Sequence, residues 1–251
     1  MKPEAILARV KAKYLEFDSY SDEGVVITDR TCDEEPYTNK MEFKTYFTRP
    51  DKVRFEWEES RENRFYNPDT GNSAIWSNGI ETRDVFLGRK RQHESLSMAM
   101  AAATGVSKGA VNMILIPLLN LDSDLRWFWA DMKDARVTEE EQVGGFHCHH
   151  IVGTTQHTND VEAWIGQDDY MVRRLRRKLV ITSEFREYAH KRGIEALRNF
   201  GLPQKQIDEV IQVHNATRRP DTEEHYEDYI YNKIRINQPL SDSLFNSGPD
   251  D

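Results

Sequence analysis

From Met41 to Glu59 the chain reads Met-Glu-Phe-Lys-Thr-Tyr-Phe-Thr-Arg-Pro-Asp-Lys-Val-Arg-Phe-Glu-Trp-Glu-Glu, and no other stretch restricts the fold as much. Met41, Phe43 and Phe47 alternate with Glu42, Lys44 and Tyr46; Val53, Phe55 and Trp57 alternate with Arg54, Glu56 and Glu58. Successive side chains of a strand point to opposite faces, so each half predicts a strand with one dry and one wet face. Arg49-Pro50-Asp51 separates the halves, because proline fixes its own φ and cannot donate to a ladder. The segment predicts an antiparallel hairpin that gathers large aromatics on one side. Antiparallel sheets tolerate one solvated face, whereas parallel sheets are usually covered on both. The dry side therefore either packs a core or holds something apolar.

At 251 residues the chain is long enough to bury a sizeable core, and it is read as a single domain over 1–251. Its formal net charge of -9 argues against a nucleic-acid partner, since phosphate binding needs concentrated positive charge. No run of about 18 apolar residues is present, so no membrane-spanning helix is expected. The nearest candidate, Leu96 to Leu121, is broken by Gly105, Lys108, Gly109 and Pro117. The N-terminus has no apolar signal-peptide core and reads as the start of a helix. Either the protein is cytosolic or this is a mature form with a new start. Cys32 and Cys148 are too few for a disulfide framework; they read as small buried hydrophobes or one bridge.

Ile6, Leu7, Val10 and Tyr14 recur at helical spacing and predict a first helix ending near Phe17. Ser19 to Gly24 has the composition of a turn. Strands are expected over Val25 to Thr31, Met41 to Thr48, Lys52 to Glu58, Asn72 to Ser77 and Ile80 to Phe86. Beyond His93, alanine- and leucine-rich sequence predicts two apolar helices divided near Gly105 and Gly109. Strands resume over Ala135 to Glu141, Phe146 to Thr155, Val161 to Ile165 and Tyr170 to Lys178. Helices follow over Glu184 to Asn199 and Pro203 to Val213, then a last strand over Tyr226 to Ile236.

Phe146-His147-Cys148-His149-His150, with His157 nearby, contains suitable zinc ligands, but alternation sends Cys148 and His150 to one face and His147 and His149 to the other. Two ligands at most could come from this strand, so histidines at a sheet surface are expected and no metal is assigned. Arg49 and Arg54 flank the aromatic hairpin, where they could meet a headgroup or partner or remain solvated. Arg173-Arg174 with Arg176-Arg177-Lys178 would suit an anionic lipid or an internal charge balance. No nucleophile elbow, phosphate-cradling glycine loop or helical His-Glu-x-x-His occurs, so no catalytic residue and no cofactor are assigned. Trp127-Phe128-Trp129 cannot all face inward; core packing is the first reading and a cavity gate the second.

Several phrases, in order, resemble the bacterial outer-membrane lipoprotein-sorting superfamily, which contains the LolA/LolB-like periplasmic lipoprotein carrier. They are Tyr20-Ser21-Asp22 with Gly24, Phe47 through Phe55, Thr104-Gly105-Val106-Ser107, Gly145 through Cys148 to Gly153, and Ala163-Trp164-Ile165. The resemblance implies an α+β fold, a strongly curved antiparallel half-barrel with helices over its concave face and room for acyl chains. On that basis Phe47, Phe55, Trp57, Trp76, Met100, Leu115, Leu118 and Trp127 are expected to line a ligand cavity, with Arg49 and Arg54 at a headgroup or partner. The implied function is non-enzymatic carriage of a lipid or acylated protein in the periplasm or envelope, assuming a signal peptide was removed. The helical stretch 184–214 is longer than that family needs and could dock a protein partner. The rival is a structural or interaction module whose apolar face is simply core, presenting Phe200, Ile207 and Ile211 at its surface.

Overall fold

The computed structural model describes residues 1–30, 37–59, 72–86, 88–120, 132–155, 160–199, 201–216, 221–246 and 248. Helix α1 (Pro3–Leu15) precedes six strands, β1 (Ser19–Arg30), β2 (Tyr37–Thr48), β3 (Lys52–Glu59), β4 (Ser73–Asn78), β5 (Thr82–Phe86) and β6 (Arg89–His93). Helices α2 (Leu96–Val106) and α3 (Ala110–Leu119) follow, then β7 (Lys133–Val137), β8 (Glu141–Val143), β9 (Phe146–Thr154), β10 (Val161–Gly166) and β11 (Val172–Thr182). Helices α4 (Ser183–Asn199) and α5 (Gln204–Ala216) lead into β12 (Thr222–Ile236) and a 3-10 turn at Asp242–Phe245.

All the strands join one 12-stranded sheet in the order β6-β5-β4-β3-β2-β1-β12-β11-β10-β9-β7, with β8 also on β9. Each pairing is antiparallel, and the two ends do not meet. The last strand is thus central: β12 closes the gap between β1 and β11 and fuses the two halves. The result is the α+β half-barrel that the sequence implies.

The hairpin forms with Phe43 opposite Trp57 and Phe47 opposite Val53. Phe43 stacks on Phe55 with ring centroids 5.7 Å apart and meets the edge of Tyr231 at 5.7 Å. Gly24, between Phe43 and Tyr231 in the pairing, lets this happen, since a Cβ there would lie 2.1 Å from the Phe43 ring. Helices α1, α2 and α3 cover this face, contributing Ile6, Val10, Met100, Ala103, Ile114 and Leu115 to one buried cluster with the hairpin aromatics. Each large apolar side chain so buried contributes roughly 1.5–3 kcal/mol.

Two expectations change. Ser19 to Gly24 is strand: Tyr20, Asp22 and Gly24 face the covered side, so period-2 alternation outweighs turn-like composition. The single strand expected over Ala135 to Glu141 is two, β7 and β8, both on β9. β6, written Arg-Lys-Arg-Gln-His, has no apolar face and was not anticipated.

Helices α4 and α5 occupy the expected helical stretch and keep a small cluster of their own, Ile194, Leu197 and Ile207. They are tied to the sheet at Glu223, which is buried between His225, 2.9 Å away, and Arg186, 3.5 Å away. Ile207 is buried and Ile211 half-buried, so the patch that the rival reading placed there is not exposed; Phe200 lies outside the described residues. Phe185 and Tyr188 of α4 are the exposed aromatics instead.

Candidate functional site

The residues expected to line a cavity fall into three groups. Phe47, Phe55, Trp57, Met100, Leu115 and Leu118 share the covered face, where they pack one another in the continuous core. Trp76 does not join them. Because Phe55 pairs with Ile75, alternation turns Trp76 to the opposite face, against Ala74 and Val85. Trp127, with the rest of its aromatic trio, lies outside the described residues.

The two arginines serve the fold. Arg49 donates through Nε to the Phe17 carbonyl at 2.8 Å, fastening the hairpin turn to the end of α1. Arg54 is buried on the Trp76 face; Nε donates to Glu56 at 2.6 Å and Nη1 to the Leu244 carbonyl at 2.9 Å, holding the 3-10 turn. Both side chains thus hydrogen-bond within their own protein.

The histidine strand divides as alternation requires, with His150 opposite Trp164 on the uncovered face. Its ring stacks on that indole at 4.2 Å, with Glu141 3.0 Å from Nδ1 and Glu162 2.7 Å from Nε2. Carboxylates on opposite sides of one imidazole do not converge on a common ion. His147 is exposed beside Gln142, and His157 lies outside the described residues. The basic cluster is matched pair by pair: Arg174 with Asp228, Arg177 with Glu227, Lys178 with Glu224.

A pocket sits elsewhere, where the register leaves a gap. β11 pairs with β12 only as far as Arg174 opposite Ile230, so Tyr231 to Ile236 run on beside β1 with no strand paired to their other flank among the described residues. The β8–β9 and β10–β11 turns fold over that open edge. Between them lies a pocket of about 470 Å³ whose apolar wall includes Val143, Phe146, Met171, Ile234 and Ile236. Its polar wall includes Arg173, Asp169 and Tyr231. Polar and apolar groups share its wall about equally, since Asn232 and Lys233 also line it.

Phe146 is half-exposed at the mouth, with the Arg173 guanidinium 3.7 Å over its ring. Arg173 also pairs with Asp169, whose other oxygen accepts from the Met171 amide at 3.0 Å. Burial pushes the Tyr231 hydroxyl well above its usual range, as does the nearby Asp22 carboxylate, so the phenol stays neutral. Of these residues only Phe146 and Arg173 drew attention as sequence, Phe146 at the head of the histidine cluster and Arg173 within a basic run.

Fold and pocket together define an open α+β half-barrel with a ligand-sized recess beside its central strand. A family profile described as "Predicted periplasmic protein (DUF2092)" matches residues 107–200. Comparison with curated proteins gives no match. Among solved structures, a LolA superfamily protein from Nitrosomonas europaea aligns at 10% identity and TM-score 0.32, covering 98% of this chain and 97% of that one. LprF from Mycobacterium bovis aligns at 8% identity and TM-score 0.43, covering 95% and 94%. The MucA/MucB complex of Pseudomonas aeruginosa aligns at 12% identity and TM-score 0.39, covering 96% of this chain and 60% of that one.

Proposed function

We propose that this chain, as one domain, binds and carries an apolar, acylated ligand in the cell envelope, without chemistry on it. The observation that supports this most is the recess at the open edge of β12, whose apolar side is formed by Val143, Phe146, Met171, Ile234 and Ile236 and whose other half is polar. The residues beneath α1–α3 pack as core, and the proposed site lies beside them, at the end of the sheet. An acyl chain entering such a recess gains about 0.8 kcal/mol per buried methylene. The periplasmic description of the matched family and the lipoprotein-sorting phrases in the sequence support the compartment and the ligand class.

The test is uptake of the fluorescent probe N-phenyl-1-naphthylamine and its displacement by decanoyl compounds. Saturable uptake is expected, weakened several-fold by Phe146→Ala, which removes an exposed wall without opening the core. No saturable uptake up to about 100 µM probe would refute the reading. A second role has one observation in its favour: Phe185 and Tyr188, exposed three residues apart on α4, suit a protein partner.

A further inference from the structure

Helices α4 and α5 form a hairpin along one rim of the sheet. The registers place the end of β11, the start of β12 and, strand by strand, the start of β6 on that same rim. Thr182 lies opposite Thr222, Arg30 opposite both His225 and Tyr37, Met41 opposite Glu59, Trp57 opposite Ser73, and Phe86 opposite Arg89. The hairpin leaves the sheet after Thr182 and returns to it at Thr222. Its first helix, of 17 residues, is about 25 Å long. At its tip a Cβ on Gly201 would lie 2.8 Å from Arg89 Nη1, so the tip rests on β6. The hairpin therefore spans the rim from the central strands to the far edge.

Between the two helices the rings of His190 and His214 stack, with centroids 3.6 Å apart and planes within 5° of parallel. Both are half-buried, and neither imidazole has a hydrogen bond or ion pair among the described residues. On α4, Arg186 one turn earlier reaches away to Glu223 of β12, and Glu187 and Lys191 are exposed. On α5 the turn before His214 is Val210 and Ile211. β11 brings Lys178, held 2.8 Å from Glu224, and β12 brings Glu223 beside His225. No carboxylate among the described residues is thus paired with either ring. Neutral imidazoles stack face to face without penalty, whereas two imidazolium rings at this distance repel. Burial and His214 lower the His190 pKa below its ordinary 6.5, so the closed pair holds this proton less tightly than an open one. The advantage of the closed arrangement is full above about pH 6.5 and is lost as the pH falls.

We propose that α4 and α5 form a pH-sensitive strap: with His190 and His214 neutral the helices close on each other and their tip rests on β6, and with both rings protonated the helices part and the tip leaves β6. Parting bares Ile194, Leu197 and Ile207, which the two helices bury apart from the main core.

Amide exchange of the full chain at about pH 7.5 and about pH 5, expressed as protection relative to the free-peptide rate at each pH, tests the strap. Protection across 183–199 and 201–216 is expected to fall about 10-fold at the lower pH, the equivalent of one pKa unit. The β2 and β3 amides should keep or gain protection, because buried Asp22 stabilises the sheet as the pH falls. His190→Phe and His214→Phe each keep a ring in the stack but leave one titrating group, so in either variant the fall should largely disappear. His225→Gln, which removes the other histidine facing α4, should leave the fall in place. Equal protection at the two pH values, or a fall shared by β2 and β3, would overturn the strap. So would a fall that survives in both phenylalanine variants or that His225→Gln abolishes, either of which would place the sensitivity at Glu223 and His225.

Discussion

Asp22 is the residue whose chemistry most marks the interior. It faces the covered side of β1, is buried, and accepts from the Tyr20 hydroxyl at 2.7 Å. Burial raises its carboxyl from 3.8 to about 7, against the opposing effect of the Tyr20 bond. The folded state therefore holds this proton more tightly than the unfolded chain. Its contribution to stability is full below about pH 4 and is lost as pH rises through about 7. A shift of that size corresponds to roughly 4 kcal/mol. Asp22→Asn should remove it: urea unfolding of variant and wild type should diverge in the variant's favour between about pH 4 and pH 7, by a few kcal/mol. A constant difference across that range would contradict the assignment. Gly24 makes a second prediction at this scale. Gly24→Ala drives a Cβ into the Phe43 ring and should cost about 1–3 kcal/mol, partly restored by Phe43→Leu in a double-mutant cycle.

Among the elements, α4 and α5 should behave as a separately opening unit. Their cluster of Ile194, Leu197 and Ile207 is distinct from the main core. Leu197→Ala should therefore speed amide exchange across 183–216 by an order of magnitude or more while leaving the β1, β2 and β12 amides unchanged. Uniform acceleration throughout the chain would show instead that the helices and sheet open together. The α2–α3 corner is held differently, by the Tyr229 hydroxyl donating to the Lys108 carbonyl at 2.6 Å. Elements with strong periodicity were legible from the sequence: the hairpin, the apolar helical pair and the late helices all form within a few residues of expectation. β6 was not, because its five polar residues carry no pattern. Trp76 was assigned to the wrong face because alternation within β4 says which residues share a side, and only the pairing of Phe55 with Ile75 says which side that is.

For the whole molecule, the same limit explains the pocket. Nothing local in Phe146, Met171 or Ile234 marks a recess. It arises because the pairing of β11 with β12 ends at Ile230 while β12 runs on to Ile236, a register relation between distant segments. The covered face, which the aromatics made conspicuous, is the core that holds the half-barrel together; the proposed ligand site lies at its end. Hydrogen exchange with and without monodecanoylglycerol distinguishes these two locations most directly. New protection is predicted in 143–146, 169–173 and 231–236, the segments that line the pocket. Protection confined to α2 and α3, or none at all, would contradict the account.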